Sequence, residues 1–201
     1  MSVASAAAVR LRDLAQDDLE EVARIDALHT GREKPAYWSR VFDEFVARGG
    51  SVARVGLAAE IERVPGAGAP GRARTVATAG TGWAGRVVGA DGVAAAGSGR
   101  AGARPLQAGI VGYLLGEVRA FEFGSEPCGW VFAVGVDPAH AREGIASLLL
   151  GEACARFRSA GVETVRTMVR RDDIPVLSFF RRRGFVGGSF YQLEMSLGVR
   201  T

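Results

Sequence analysis

Residues 134–146, Val-Gly-Val-Asp-Pro-Ala-His-Ala-Arg-Glu-Gly-Ile-Ala, join an apolar run to a proline turn and then to a helix opening near Gly144. A helix mouth has backbone N–H groups without intrahelical partners, and the positive end of the helix dipole lies beside them. A short loop feeding such a mouth is suited to a phosphate. Arg142 is placed to add a charge-assisted contact. Taken alone, the segment is equally an ordinary helix start after an Asp-Pro turn.

The flanks supply the elements that would position this loop. Gly129 to Val136 is almost continuously apolar, as in a strand covered on both faces. Downstream, Ile145, Leu148, Leu149, Ala153 and Phe157 recur at helical spacing, and Gly161 is a stop signal. Val162 to Val169 reads as another strand, and Pro175 to Arg183 as another helix. Upstream, Val9 to Leu14 alternates as an opening strand. Asp17 is the expected N-cap of a helix carrying Leu19, Val22, Ile25 and Leu28 on one face. A second helix is expected from Pro35 to Arg48, with Trp38, Val41, Phe42 and Phe45 as its apolar stripe and Gly49-Gly50 as its end. Arg54 to Ile61 and Ala108 to Arg119 read as strands, which gives an α/β chain.

Ala141-Arg142-Glu143-Gly144-Ile145-Ala146 resembles the Gln/Arg-x-x-Gly-x-Gly/Ala pyrophosphate loop of the GNAT acyltransferases, with Ala141 where Gln or Arg is usual. Asp173-Ile174-Pro175-Val176, leading to Phe180-Arg181-Arg182-Arg183-Gly184-Phe185, is similar to the helix that closes the family's core. The resemblance covers about residues 108–197, and more loosely 9–61. It implies a central mixed sheet that splays beside the loop, flanked by helices, in a single domain over residues 1–201. It also implies acetyl-coenzyme A as cosubstrate and transfer of its acetyl group to a primary amine by direct attack in a ternary complex. Coenzyme A contacts would fall on Val134, Gly135 and Val136 of the strand, on Ala141, Arg142, Glu143, Gly144, Ile145, Ala146 and Ser147, and on Asp173 and Phe180. Gly135 suits a bulge or close backbone approach, or simply relieves crowding. The alternative is a catalytically silent acyl-CoA-binding module, acting as a sensor or interaction surface.

That alternative has a basis in the residues themselves. The family often uses a Tyr as acid where Phe180 stands, and a Glu base at positions matching Trp130 or Met168; none of these side chains titrates. Replacement candidates are Tyr191 on an expected last strand as acid, and Glu117, Glu122 or Glu126 as base. Each has a plainer account: an outward strand residue for Glu117, solvated loop charges for Glu122 and Glu126, and a half-buried aromatic for Tyr191. His140 reads as a turn residue, and Arg181-Arg182-Arg183 as a helix end. Tyr37, Trp38 and Phe42 are equally acceptor wall or core.

Composition bounds the rest. The 201 residues have a net charge of +3, and of the 25 basic side chains only Lys34 is a lysine. The excess lies in residues 62–107, a Gly/Ala-rich insertion broken by Pro65, Pro70 and Pro105, with at most a weak hairpin through Thr75 to Val93. Within it, Gly80-Thr81-Gly82-Trp83-Ala84-Gly85 matches a dinucleotide-binding pattern, but no helical periodicity follows and no acidic residue stands about twenty positions on. Nucleic-acid binding is not expected. Cys128 and Cys154 read as free thiols, Cys154 as a small buried hydrophobe, and no His/Cys cluster suggests a metal. With no signal peptide or membrane-length apolar run, a cytoplasmic protein away from membranes is expected. Homodimer formation stays open.

Overall fold

The alternating and continuous apolar runs become a five-stranded mixed sheet in a computed structural model that describes residues 9–47, 54–61, 109–120 and 124–197. The chain forms two compact units, Met1–Met168 and Val169–Thr201. In the first, the elements run β1 (Val9–Asp13), α1 (Leu19–Thr30), α2 (Pro35–Phe42), β2 (Arg54–Ile61), β3 (Ile110–Arg119), β4 (Cys128–Val136), α3 (Ile145–Ser159) and β5 (Thr164–Thr167). The strands lie in chain order. β1 through β4 pair antiparallel, and β5 joins β4 in parallel. This is the mixed sheet with flanking helices expected from the sequence.

Each face of the sheet has its own packing logic. On one, Val22 and Ile25 of α1 and Trp38, Val41 and Phe42 of α2 bury against Ala58, Tyr113, Leu115 and Ala133. On the other lies α3, seated closely because three strand positions facing it lack a Cβ. A Cβ on Gly129 would stand 2.6 Å from Phe157, one on Gly116 would stand 2.9 Å from the same ring, and one on Gly112 would meet Ile145 at 3.0 Å. Fully buried Phe157, Leu149 and Ile145 fill that space.

Several boundaries differ from expectation. Asp17 is not the N-cap of α1. A short turn over Gln16–Asp18 intervenes and Asp18 takes the capping position, its carboxylate engaged by Arg12 (2.6 and 2.8 Å) and by the Ala15 N–H (2.8 Å). Leu28 is 52% exposed, so the buried stripe of α1 ends at Ile25. α2 stops at Phe42 and continues as a wider turn over Asp43–Ala47, which places Phe45 against Phe132 at 4.9 Å and under Arg54. Cys128 is the buried cysteine and Cys154 is partly exposed, the reverse of the packing expected for Cys154.

In the second unit, α4 (Ile174–Arg182) is capped by Asp173 Oδ1, which accepts from the Val176 N–H at 3.2 Å. The expected last strand is absent. Residues 185–197 form no ladder, and Tyr191 is 95% exposed. The insertion at 62–107, its expected hairpin and Gly80–Gly85 lie outside the described residues, as do Gly49-Gly50 and Glu122.

Candidate active site

The sheet parts along β4. Pairing with β5 runs from Cys128↔Thr164 to Val131↔Thr167 and stops there, the Thr167 hydroxyl donating to the Val131 carbonyl at 2.9 Å. β4 itself continues to Val136. At the parting point Phe132 is an extra residue, because Leu115 pairs with Ala133 while Gly116 pairs with Val131. Such a bulge turns two successive side chains to one face. Here both Phe132 and Ala133 pack into the α1/α2 core.

Register decides which main-chain groups the open edge offers. The Asp137 N–H donates to the Val111 carbonyl at 2.8 Å, so this position and every second one before it exchange hydrogen bonds with β3. Gly135, opposite Tyr113, is in that set and its amide faces β3. Val134 and Val136 turn theirs to the open edge. Of the three strand residues expected to meet a ligand, Val134 therefore presents a backbone donor and acceptor and Val136 a donor, since its carbonyl is taken by His29. Gly135 serves Tyr113 instead: a Cβ there would stand 2.6 Å from the phenol ring. Burial, followed by the charge of Asp26, pushes the Tyr113 hydroxyl well above its usual range, so it stays a neutral phenol.

Past β4 the chain makes a short 3-10 turn over Pro138–His140 and reaches α3 through two left-handed residues, Arg142 (φ 69°) and Gly144 (φ 83°). A non-glycine residue in that region costs about 1–2 kcal/mol. Strain of this kind persists where surrounding contacts over-determine the backbone, and it collects at binding sites. Gly144 caps α3 without a side-chain hydrogen bond, and the first turn holds no acidic residue. Among the described residues, the N–H groups of Arg142, Glu143, Gly144, Ile145 and Ala146 find no acceptor. Ala141 N–H, by contrast, is taken by the Pro138 carbonyl (3.2 Å), and Ser147 N–H by the Gly144 carbonyl (2.9 Å). Residues 141–144 are exposed. A run of unpartnered donors at the positive end of a helix fits a diphosphate, and the edge-facing Val134 and Val136 amides fit an extended amide chain beside them.

The loop is held from behind. Asp137 uses all four of its polar groups. Beyond its N–H, its carbonyl accepts from His140 N–H (2.8 Å), Oδ1 accepts from Ala139 N–H (2.9 Å), and Oδ2 accepts from Arg24 Nη2 (2.5 Å). Burial pushes the Asp137 carboxyl up, but the Arg24 guanidinium and the Ala139 N–H outweigh it, and the group sits below its ordinary value. His29 of α1 donates through Nε2 to the Val136 carbonyl at 2.7 Å. His140 lies 3.2 Å from Glu143 in the turn. Sequence reading missed Arg24, His29 and Tyr113, whose contacts have no local signature.

The expected catalytic side chains fall in different places. Glu117, on β3 opposite Trp130, is paired to Arg119 at 2.8 Å, and that guanidinium covers the Trp130 ring at 4.5 Å. Glu126 is exposed in the loop before β4. In the second unit, Asp173 is 1% exposed and its Oδ2 has no hydrogen-bond partner, while buried Phe180 stacks edge-on with Phe179 and Phe185. Among the described residues no group of three or more His, Cys, Asp or Glu could hold a metal, and no helix is long and apolar enough to cross a membrane.

Residues 95–185 match the family model described as acetyltransferase (GNAT) family. Among solved structures, the chain is similar to an aminoglycoside N-acetyltransferase in complex with CoA, at 10% identity over 98% of this chain and 100% of that one, with a TM-score of 0.64. It is also similar to an apo aminoglycoside 6'-N-acetyltransferase from Acinetobacter haemolyticus (13% identity, 95% and 99% covered, TM-score 0.58). A third likeness is to glucosamine-6-phosphate N-acetyltransferase from Arabidopsis thaliana (13% identity, 95% and 99% covered, TM-score 0.55). At these identities the likeness is one of fold. No curated protein matches the sequence.

Proposed function

We propose that this chain, whose residues 95–185 match the acetyltransferase (GNAT) family model, is an N-acetyltransferase of that family and moves an acetyl group from acetyl-coenzyme A to a primary amine by direct attack in a ternary complex. The observation that carries this reading is the open edge of β4 running into a helix mouth whose N–H groups, from Arg142 to Ala146, have no acceptor. These donors would hold the diphosphate, and Val134 and Val136 would pair with the amides of the pantetheine arm.

The chain's own residues then have defined tasks. The Val134 N–H faces the edge beside the bulge, where it would polarise the thioester carbonyl. The amine nitrogen forms its bond to the acetyl carbon, the carbon–sulfur bond breaks, and the departing thiolate takes a proton. Glu117 lies on the strand next to β4, but it would have to leave its pair with Arg119 to accept the amine proton. Transfer therefore relies on backbone polarisation and positioning more than on a strong built-in base.

Solved structures of similar fold carry names of enzymes for aminoglycosides and glucosamine-6-phosphate, so amino sugars come first among acceptors to try. A specific observation favours a second reading, a silent acyl-CoA-binding module: Trp130, Met168 and Phe180 replace titratable groups. Thiol release over a panel of amines, set beside calorimetric binding of acetyl-coenzyme A, separates the two. Release above hydrolysis with any amine supports transfer; tight binding with no release supports the silent module; no binding ends both.

A further inference from the structure

The described contacts give the anion loop an unusual support, and it comes from the first helix of the chain. α1 reaches the end of β4 at two points. His29 Nε2 holds the Val136 carbonyl at 2.7 Å, and Arg24 Nη2 holds the Asp137 carboxylate at 2.5 Å. The peptide between those two residues is thus gripped at its carbonyl by α1, at its N–H by β3, and at the following side chain by α1 again. Arg24 is itself aimed by Glu21 one turn earlier, through bonds of 2.6 and 2.9 Å. Asp137 passes the constraint forward, since Oδ1 orders the Ala139 N–H and the carbonyl orders the His140 N–H at the start of the turn to Gly144.

We infer that Arg24 is a positioning residue for coenzyme A: through Asp137 it sets the path of residues 138–146 and so the convergence of the Arg142–Ala146 amides on the diphosphate. The inference rests on the coenzyme A reading above. Arg24 lies well away in sequence from every phosphate-binding residue, and its guanidinium is spent on Glu21 and Asp137, so it acts on the ligand only through the loop. Its charge also offsets the Asp137 carboxylate, which would otherwise stand uncompensated beside a binding site for anions. Loss of the brace leaves the donors present but no longer aimed together, and that is a loss of preorganisation.

The test compares Arg24→Ala and Arg24→Gln with the unaltered chain in three measurements: calorimetric Kd for coenzyme A, competition by pantetheine, and amide hydrogen exchange of Ala139, His140 and Ala141 without ligand. Arg24 is exposed on α1, so both variants should fold. The expected result is a Kd for coenzyme A raised about tenfold (1.4 kcal/mol), pantetheine unaffected because it lacks the diphosphate, and several-fold faster exchange of the hydrogen-bonded Ala139, His140 and Ala141 amides. Asp137→Asn, which keeps an acceptor for the Ala139 N–H while dropping the charge that Arg24 faces, should move the same readouts in the same direction. Unchanged exchange with unchanged Kd overturns the inference, and so does equal weakening toward coenzyme A and pantetheine, which would make Arg24 a general support of the fold. If the unaltered chain binds no coenzyme A, the reading of the site fails, and the exchange measurement still decides whether Arg24 braces the loop.

Discussion

Replacing Gly135 by alanine separates two explanations of a glycine in the middle of β4. The added Cβ would stand 2.6 Å from Tyr113 Cε1, 2.9 Å from Cζ and 3.0 Å from the hydroxyl oxygen, whereas carbon atoms in contact prefer about 3.5–4.0 Å. The ring would have to retreat by roughly 1 Å. It is 3% exposed and meets Trp38 edge-on at 5.4 Å, and Trp38 in turn is tied to Asp26 through its Nε1–H at 3.0 Å. Overpacking of this kind costs about 1–3 kcal/mol, which for a chain of this size lowers Tm by roughly 3–9 °C. Coenzyme A affinity should change little, because the Gly135 amide faces β3. Thermal melts of Gly135→Ala, Tyr113→Leu and the double variant make a cycle in which the alanine costs little once the ring is trimmed. An unaltered Tm together with lost coenzyme A binding would refute the reasoning and return Gly135 to the ligand.

Gly144→Val should raise the Kd for coenzyme A by about tenfold or more in calorimetry, because a β-branched residue resists a φ of 83° although no atom lies within 4 Å of the new Cβ. The Asp137 carboxyl is held below its ordinary value of 3.8, so the stability it contributes is present above that value and is lost as pH falls through the lower folded value. Protection of the Ala139 and His140 amides from hydrogen exchange should accordingly hold at pH 5 and fall only below about pH 4, and Asp137→Asn should abolish that step. For the cysteines, burial raises the Cys154 thiol with Arg158 opposing it, while Cys128 is fully buried. Mass-spectrometric labelling at pH 7 should therefore modify Cys154 more slowly than a free thiol and Cys128 only on unfolding.

Much of this architecture is written locally. The apolar period of Ile145 to Phe157, the continuous run before Val136 and the Gly144 start each act within a few residues, and α3, β4 and the loop between them follow. The parting of β4 from β5 is less legible, since it depends on β5 shrinking to Thr164–Thr167 and on Phe132 bulging against β3. The support behind the loop is hidden altogether: Arg24 and Asp137 are 113 positions apart and His29 and Val136 are 107 apart, so no spacing reveals them. Gly135 shows the same limit. Its lack of a Cβ is plain in the sequence, but which neighbour claims the space is settled by Tyr113, on another strand. The last expected strand, which would carry Tyr191, is the opposite case, since residues 185–197 form no ladder.

Backbone amide chemical shifts followed by NMR as coenzyme A is added test the account most directly. The amides of Arg142 to Ala146 should shift in proportion to saturation, Val134 and Val136 should shift with them, and adenosine 3',5'-diphosphate, which carries neither the linking diphosphate nor the pantetheine arm, should leave Val134 and Val136 still. Saturation by coenzyme A with the 142–146 amides unmoved would contradict it.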